Sequence, residues 1–523
     1  MRRPASCEAL LVLLFCLVCS AAADGQLAPV PYPAENPPTE EKRVLGKILF
    51  WDEQLSSDDT VACGTCHQAG VGGSDPRLGT HPGPDGLFGT SDDIIGSPGI
   101  ARADLDGIPL LDPLFGFEVQ VTNRSSQPVI GSQWAPEMFW DGRASSTFID
   151  PQTGLVSIAS GGALESQAVA PLLSDVEMAF EGRTWADLVT KMETVAPLAL
   201  GTDLPADVAA ILVGGTDYPE LFAAAFGSPG ITAERIAFAI ATYERTLVPD
   251  QTPFDLGTLT PQQQTGFNIL TNNTVCFNCH IPPLFSDNEF YNIGLRPSAD
   301  DLGRFNVTGD IEHRGSFKTP TLRNVGLRPA QMHVGWVTDV QDAIDFYNAP
   351  AWPSVDPVTG HTQFTAEQSP IPAPGAPPGT APSYNDIFMP TQFHPAVIAF
   401  LANGLTDPRV ANETFPFDRP TLQSELPNPV QFVRGDCNTD GANNIADAVT
   451  VLNVLFPAPT PPTMGCEDAC DGNDDGAIDI ADAIAVLSSL FGFPAIPLPA
   501  PTSCGPDPTT AETLECSIYP NCP

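Results

Sequence analysis

The spacing of apolar residues along the chain predicts helices separated by long polar connections. Apolar residues recur at intervals of three and four over residues 231–247, the clearest amphipathic pattern in the sequence. Residues 68–96 are rich in glycine, aspartate and proline and predict a loop with too few apolar residues for a core element. We therefore expect a mainly α fold, with further helices starting near Arg43 and over residues 164–180, 185–195, 340–347 and 394–405.

Three segments are predicted to lie outside the helical cores. Residues 1–23 combine a basic start, an apolar run and a small-residue cleavage site, as in a secretory signal peptide. The proline-rich residues 24–41 predict an extended linker, and the Pro/Gly-rich residues 369–382 predict a surface loop. No later stretch is apolar enough to span a bilayer. We expect an exported protein, periplasmic, secreted or at the cell surface, without a transmembrane segment.

Two stretches of the form Cys-x-x-Cys-His carry the strongest chemical signal in the chain. This form is the attachment signature of a c-type haem, in which the thiols add to the haem vinyl groups and the histidine becomes the proximal iron ligand. A redox dithiol or a structural disulfide does not need the histidine, and a zinc ribbon needs two cysteine pairs much closer together. The sequence therefore predicts two covalently bound haems, held by Cys63, Cys66 and His67 and by Cys276, Cys279 and His280.

Net charge and cysteine placement narrow the class of protein. The 523-residue chain has a net charge of −41, which argues against nucleic acid and anionic membrane surfaces as partners. Its 13 cysteines include three in the predicted signal peptide and four in the haem motifs. The others predict disulfides near the C-terminus, with the connectivity left open: Cys437, Cys466, Cys470, Cys504, Cys516 and Cys522.

Residues 431–495 contain an internal repeat of a loop followed by a helix. Each loop places oxygen-bearing side chains at positions 1, 3, 5, 9 and 12 and glycine at position 6, the spacing of an EF-hand-type calcium loop, with aspartate instead of glutamate at position 12. The predicted calcium ligands are Asp436, Asn438, Asp440, Asn444 and Asp447, and then Asp471, Asn473, Asp475, Asp479 and Asp482. Each helix carries an apolar stripe, formed by Ile445, Val449, Leu452 and Phe456 and by Ile480, Ile484, Leu487 and Phe491.

Further motifs occur in one order around the haem stretches. They are Trp140-Asp-Gly-Arg143, Gln167 through Glu177-Met178-Ala179, and Lys318-Thr-Pro-Thr-Leu-Arg-Asn324. This order, over roughly residues 41–415, resembles the bacterial di-haem cytochrome c peroxidase family. That family includes the diheme enzyme that matures tryptophan tryptophylquinone in methylamine dehydrogenase. The tail repeat resembles a type I dockerin pair. The resemblances imply two cytochrome c-like haem domains, then a small EF-hand/dockerin-like calcium-binding domain and a Cys-rich tail.

The resemblance to the peroxidases implies a division of labour between the two haems. The haem on His67 would be peroxidatic, and the haem on His280 would transfer electrons. Glu177 matches the family's catalytic acid/base, Gln167 its distal glutamine, and Trp140 the tryptophan between the haems. The alternatives are a surface carboxylate for Glu177 and a plain core aromatic for Trp140.

The outer axial ligands stay open at this point. His81 lies in the stretch from which the family's first haem takes a histidine in the resting state, and it is either that ligand or an exposed loop histidine. For the second haem, Tyr347 matches the ligand position of the quinone-maturing enzyme, and Met332 is the rival. Core packing is the alternative for either side chain.

The chain departs from the family pattern at three places. His333-Val-Gly335 replaces His-Asp-Gly, Asn123-Arg124-Ser125 replaces Asn-Arg-Asn, and extra residues at 150–162 predict a surface loop. Asn123 still matches a calcium ligand between the haem domains, where the family adds backbone oxygens near Lys318 to Pro320.

Together these observations predict an enzyme that reduces hydrogen peroxide to water with electrons from a small cytochrome c or cupredoxin. The expected cofactors are two haem c and calcium. The alternatives are a diheme enzyme that uses peroxide to oxidise a protein or organic substrate, and a non-catalytic surface protein whose tail binds a cohesin-like partner. The predicted domains are the signal peptide, the linker at 24–41, haem domains at 42–250 and 251–425, the dockerin-like domain at 431–495 and the Cys-rich tail at 496–523.

Overall fold

The computed structural model of the protein divides into two units, one ending at Glu425 and the other starting at Leu426. The predicted signal peptide, the predicted loop at 369–382, and Cys504, Cys516 and Cys522 lie outside the residues that the structure describes. The described residues are 26–88, 93–295, 298, 300–347, 389–426, 432–456, 466–492 and 495–503.

Helices dominate both units, so the predicted helix-rich fold is confirmed. The helices are α1 (Glu40–Trp51), α2 (Cys63–Cys66), α3 (Ala163–Ala168), α4 (Trp185–Met192), α5 (Ala206–Leu212), α6 (Tyr218–Phe226), α7 (Ala233–Glu244), α8 (Pro261–Asn273), α9 (Phe305–Thr308), α10 (Val340–Tyr347), α11 (His394–Ala399), α12 (Pro408–Ala411), α13 (Ile445–Leu455) and α14 (Ile480–Phe491). The short strands form antiparallel pairs: β1 (Gly79–His81) with β2 (Ile94–Gly96), β3 (Pro98–Ala101) with β4 (Val119–Val121), β5 (Phe148–Ile149) with β6 (Val156–Ile158), and β7 (Phe290–Tyr291) with β8 (Phe317–Lys318).

The core of the first haem-motif region is built on the crossing of α1 and α7. The side chains of Thr39 and Thr232 cap the two helices by accepting backbone N–H bonds from Lys42 and Arg235. A Cβ atom at Gly46 would lie 1.9 Å from the carbonyl oxygen of Ala239, so only glycine permits this close crossing. The crossing leaves α7 buried along almost its whole length, which carries its last residue into the interior.

Several predicted loops and helices differ from what the structure contains. The predicted helix at 164–180 ends at Ala168, and a 3₁₀ turn follows at Pro171–Leu173, because proline cannot donate the hydrogen bond that would continue the helix. The predicted loop at 68–96 contains β1 and β2. The predicted surface loop at 150–162 is exposed over residues 151–156 and 159–161, but it also contains strand β6 of the β5–β6 hairpin, which buries Ile158 in the core.

The predicted linker at 24–41 also packs more closely than its composition indicates. Residues 26–39 contain neither helix nor strand. However, the Asn36 side chain is fully buried and donates hydrogen bonds to the Glu165 carboxylate at 2.9 Å and the Phe238 carbonyl at 3.0 Å. The lead-in segment is therefore part of the first core.

The core of the second haem-motif region is a cluster of aromatic rings between α8 and α11. Phe254, Phe267, Phe285 and Phe400 contact one another at ring centroid distances of 5.1–6.1 Å. Such edge and tilted contacts stabilise a core beyond the area that they bury. The predicted closing helix at 394–405 is α11 followed by a π-helical turn, Phe400–Gly404.

The second unit contains the two predicted loop–helix repeats. Its helices α13 and α14 pack together through Ala448, Val451, Ala483 and Val486, and a disulfide joins Cys437 to Cys470. Cys466 is also disulfide-bonded. Most of the predicted apolar stripes face away from this core. Six of those side chains are about half exposed or more: Ile445, Val449, Phe456, Ile480, Ile484 and Phe491.

Candidate active site

The first haem motif opens onto a cavity of about 1110 Å³ in the first unit. Cys63, Cys66 and His67 line this cavity, and neither cysteine is disulfide-bonded. The Nδ1 atom of His67 lies 3.2 Å from the Gly73 carbonyl oxygen, which can only accept, so Nδ1 carries the proton and Nε2 is left for a metal. Two free thiols, an oriented imidazole and a cavity of this size fit a covalently attached haem.

Three residues predicted to carry the chemistry line the same cavity as the motif. Glu177 follows the 3₁₀ turn, and its backbone N–H donates to the Ser174 carbonyl. Burial raises the pKa of Glu177, while a hydrogen bond from the Ser174 side chain and the charge of Arg143 act in the opposite direction. Gln167, at the end of α3, and Trp140 also line the cavity. The structure therefore brings together side chains that are far apart in the sequence.

Trp140 is fixed between the first cavity and the segment that follows the second haem motif. Its indole Nε1–H donates to the Ser125 carbonyl at 2.8 Å, and its ring lies edge-on to His333, with centroids 6.3 Å apart. His333 stacks on Phe317 of β8 at 3.6 Å and an interplanar angle of 16°. Val334, one residue later, lines the first cavity. Trp140, His333 and Phe317 thus form a continuous aromatic contact between the two haem-motif regions.

The second haem motif repeats the local geometry of the first. Cys276–Asn278 forms a 3₁₀ turn, Cys276 and Cys279 are free, and the His280 Nδ1 lies 3.0 Å from the Phe285 carbonyl oxygen. The phenol of Tyr347 lies near both cysteines. Burial, and secondly the two cysteine sulfurs, raise the pKa of Tyr347 above its ordinary value. These residues fit a second covalently attached haem with a partly buried tyrosine beside it.

The other two predicted axial ligands lie in different settings. Met332 packs in the same cluster as Tyr347, Val334 and Phe346, so the structure brings both rival ligands of the second haem together. His81 lies in β1, accepts from the Gly83 N–H at 3.1 Å, and contacts the ring of Phe115. Among the described residues, Phe115 lines the first cavity and His81 does not. The axial assignments of His81, Met332 and Tyr347 stay predictions.

The predicted calcium position between the haem domains has one ligand candidate at the cavity. Asn123 lines the cavity and is otherwise exposed. The nearby Lys318 is buried, its Nζ donates to the Glu137 carbonyl at 3.0 Å, and its backbone N–H donates to the Trp140 carbonyl. Burial lowers the pKa of Lys318 to about 7, and the charge of Glu137 raises it in part.

Two side chains that line the cavity were given no role by the sequence analysis. Arg124 lines the cavity and pairs with Asp141 and Asp301, each at 2.7 Å, joining the first region to the segment after the second motif. Glu244, the last residue of α7, lines the cavity as well. The burial of Glu244 could have been predicted from the sequence. A glutamate inside a helix that is apolar on nearly every side is buried unless the helix end frays.

The tail loops hold their carboxylates in a repeated arrangement. Asp436 accepts the backbone N–H groups of Asp440 and Gly441, and Asp471 does the same with Asp475 and Gly476. Position 12 of each loop is also buried: Asp447 accepts from the Asn438 and Asn444 N–H groups, and Asp482 from those of Asn473 and Asp479. Across the described residues, no group of three or more His, Cys, Asp or Glu side chains is arranged to hold a metal ion.

Comparison with known proteins agrees with the cavity and its motifs. The family described as Di-haem cytochrome c peroxidase matches residues 40–260. The Methylamine utilization protein MauG of Methylorubrum extorquens is 30% identical over 327 residues, which cover 61% of this chain and 71% of that protein. The chain belongs to the di-haem cytochrome c peroxidase/MauG family. It is therefore a cytochrome c peroxidase-type oxidoreductase, and the family's two haem c groups match the two motifs.

Other members of the di-haem peroxidase family match at similar levels. Cytochrome c peroxidase Ccp of Escherichia coli is 28% identical, over 60% of this chain and 54% of that protein. Cytochrome c551 peroxidase of Pseudomonas aeruginosa is 27% identical, over 59% of this chain and 72% of that protein. The fold is similar to that of a MauG-like protein associated with microbial copper homeostasis, with a TM-score of 0.51, 23% identity, and coverage of 75% of this chain and 96% of that chain. None of the described helices is long and apolar enough to cross a membrane.

Proposed function

We propose that the protein reduces hydrogen peroxide to water at the first haem site, with electrons that arrive from a small cytochrome c or cupredoxin through the second. The observation that carries the proposal is the meeting of Glu177, Gln167 and Trp140 with Cys63, Cys66 and His67 on one cavity. When bound, a haem there supplies the iron that accepts peroxide and stores oxidising equivalents. The chain's own residues supply the proton transfers and the substrate orientation.

In this proposal Glu177 moves a proton between the two peroxide oxygens. Reduction of peroxide to water needs a group that takes a proton from one oxygen and returns it to the leaving oxygen. Burial raises the pKa of Glu177 toward the working range, which suits a group that must both accept and donate. The amide of Gln167 orients the substrate. Trp140 links the cavity to the second haem-motif region through its contact with His333.

The test is peroxide turnover by Glu177→Gln holoprotein with reduced cytochrome c or cupredoxin as donor. Glu177→Gln keeps the side-chain shape and removes the acid/base function, so we expect turnover to fall by about 10² to 10⁴. Glu181→Gln is the matched control, because the Glu181 carboxylate pairs with Arg102 at 2.7 Å outside the cavity. Unchanged turnover in Glu177→Gln would remove the catalytic assignment.

A second function is favoured by the partly buried phenol of Tyr347 beside the second motif and by the similarity to the MauG protein. In that function the enzyme uses peroxide to oxidise a protein or organic substrate. A tyrosine phenolate ligand would favour higher oxidation states of the second haem. Holoprotein treated with peroxide without an electron donor would then hold a long-lived oxidised state, followed by electron paramagnetic resonance. Tyr347→Phe is expected to shorten its lifetime, and rapid decay in the wild type would favour peroxide reduction.

The export signal, calcium and the tail belong to the same proposal. Cleavage after residue 23 gives a mature exported protein, which N-terminal sequencing of the purified chain tests. Each tail loop binds one calcium ion in this proposal, because Asp436 and Asp447 are both fully buried. Burial, and secondly the charge of Asp436, raise the pKa of Asp447, as expected of acidic side chains gathered to bind a cation. Asp447→Asn with Asp482→Asn should remove these two sites in calorimetric titration of the full chain, while Asn123→Ala removes the site between the haem domains.

Dockerin-like binding of a cohesin-like partner is tested by calcium-dependent capture of a purified cohesin.

A further inference from the structure

The first cavity is lined by a second glutamate, for which the proposed reaction has no role. Glu244 is only 3% exposed and lines the cavity together with Cys63 and Glu177. Its Oε2 atom is buried and has no hydrogen-bond partner among the described residues. A buried carboxylate without a partner is costly, so such a group is either protonated or balanced by something that enters the cavity.

The charges around Glu244 do not balance it. The adjacent Arg245 is held by the fully buried Glu165 through two hydrogen bonds, Nη1 to Oε1 at 2.7 Å and Nη2 to Oε2 at 2.9 Å. Lys42, on the packed helix α1, donates its Nζ to the Asn36 side chain at 2.9 Å. Burial raises the pKa of Glu244 to about 8, with Arg245 lowering it and Glu165 raising it.

Other titratable groups line the same cavity as Glu244. Glu177 is the second glutamate there, and burial raises its pKa too. Four aspartates also line it, Asp93, Asp141, Asp300 and Asp301, and of these Asp141 and Asp301 pair with Arg124. Burial, and secondly the charge of the nearby Glu244, raise the pKa of the Cys63 thiol. In the holoprotein Cys63 is a thioether and does not titrate. Glu177, whose pKa burial also raises, is the competitor that the experiment separates from Glu244.

We propose that Glu244 is the group that couples proton uptake to electron uptake at the first haem site. When one electron from the small redox donor enters that site, Glu244 gains one proton from solvent. The iron passes from ferric to ferrous, the carboxylate becomes a carboxylic acid, and the only new bond is its O–H bond. The proposal deepens the proposed function and rests on it only in taking the first haem as an electron acceptor.

The physical reason is the electrostatic coupling of two charges in one poorly solvated cavity. An added electron removes one positive charge from the site, which makes a nearby carboxylate less favourable and its acid form more favourable. By linkage, the same interaction makes the reduction potential depend on pH across the range in which Glu244 titrates. Glu244 thereby holds a proton at the site where the reaction consumes protons.

The experiment is a spectroelectrochemical titration of the holoprotein without peroxide, repeated from about pH 6 to about pH 10, which brackets an ionisation near 8. The potential of the first haem should fall as pH rises, approaching about 59 mV for each tenfold change in proton concentration, the one-electron limit. Glu244→Gln should flatten this dependence, and Glu244→Asp should restore part of it. Glu177→Gln should keep it, as should the surface control Glu181→Gln.

Three outcomes would overturn the proposal. They are a pH-independent wild-type potential, an unchanged slope in Glu244→Gln, and a slope that disappears in Glu177→Gln instead. Failure of the proposed function looks different, because peroxide turnover can be absent while the wild-type potential still follows pH through Glu244.

A second measurement begins with the wild type, and its first result does not depend on how well the variants fold. The infrared spectrum of reduced minus oxidised wild type, recorded above pH 8, should contain a positive carbonyl band of a protonated carboxylic acid that shifts in deuterium oxide. The band should persist in Glu177→Gln and disappear in Glu244→Gln. A spectrum without such a band in the wild type, or one that disappears only in Glu177→Gln, contradicts the proposal.

Discussion

The two haem-motif regions share their local geometry and differ in the ionisable groups around it. In both, the motif histidine donates its Nδ1–H to a backbone oxygen a few residues later. The carboxyl groups of Glu177 and Glu244 line the first cavity, whereas the phenol of Tyr347 lies beside the second motif. Near the second motif the Arg328 guanidinium is also buried, and the pKa of His280 is lowered by burial first and by the charge of Arg328 to a smaller extent. Identical motifs therefore acquire different chemistry from side chains supplied by distant parts of the chain.

The largest expected effect comes from removing the second haem, so that only the first haem-motif region keeps its cofactor. Cys276→Ser with Cys279→Ser eliminates both thioether attachments of the second haem, so the covalent haem content should fall from two to one per chain. Donor-dependent peroxide turnover should then disappear because electrons have no entry site. Cys437→Ser with Cys470→Ser is the control, since that pair forms the tail disulfide and should leave both haems attached. Two covalent haems in the first variant would contradict the assignment.

The second prediction compares how the free energy of unfolding depends on pH through one buried group in each region, Glu244 and Lys318. The unfolded chain ionises Glu244 above about pH 4.5 and the folded chain only above about pH 8, so its contribution to the free energy of unfolding falls as pH rises through that window. The pKa of Lys318 is about 7 in the folded chain and 10.5 when unperturbed, so its contribution rises with pH between those values. Each slope has a limit of about 1.4 kcal/mol per pH unit.

Denaturant titrations of Glu244→Gln and Lys318→Met at several pH values measure these slopes as differences from the wild type. The wild type should lose stability relative to Glu244→Gln as pH rises from about 5 to about 8, and gain relative to Lys318→Met from about 7 to about 10. Parallel curves for either variant would show that its residue does not titrate as the burial indicates.

The third prediction concerns the contact between the regions. Trp140→Phe removes the hydrogen bond to Ser125 and replaces the indole that contacts His333 by a smaller ring. Electron transfer between the haems should therefore slow by about tenfold, equivalent to roughly 1.4 kcal/mol in the barrier. Stopped-flow absorption after mixing half-reduced enzyme with peroxide measures this rate. Trp185→Phe is the control, because Trp185 is a buried tryptophan of α4 that does not line the cavity. Equal rates in both variants would exclude Trp140 from the path.

The smallest expected effect concerns the buried cation near the second motif. Arg328 donates to the Thr321 and Arg323 carbonyls, its Nε has no hydrogen-bond partner among the described residues, and burial lowers its pKa to about 9. Arg328→Gln should lower the reduction potential of the second haem by the equivalent of about 1 kcal/mol and leave the first haem nearly unchanged. Arg235→Gln is the control, since Arg235 also bonds backbone carbonyls but lies on the first core. An equal shift of the reduction potential at both haems would contradict the assignment of Arg328 to the second haem-motif region.

Features that depend on short stretches of chain were accessible from the sequence. Two cysteines and a histidine at fixed spacing define a haem attachment site whatever surrounds them. The apolar periodicity over 231–247 predicted a helix that the structure places at Ala233–Glu244, because burial on α1 supports the same residues that propensity favours. The limits of prediction appear at 164–180, where Pro171 stops the helix, and at 150–162, where a hairpin packs Ile158 into the core.

The sequence by itself determined that this protein carries two haem-attachment motifs and a repeated acidic loop, since both are patterns of neighbouring residues. Only the tertiary structure decided which side chains share a cavity with the first motif, because Glu177 lies in the turn after Pro171–Leu173 and Glu244 at the end of α7. The tertiary structure also decided the pKa values of these two carboxyl groups. The ordinary pKa of a glutamate is 4.5, and burial raises the pKa of Glu244 to about 8, while the charge of Arg245, which Glu165 already holds, lowers it only in part.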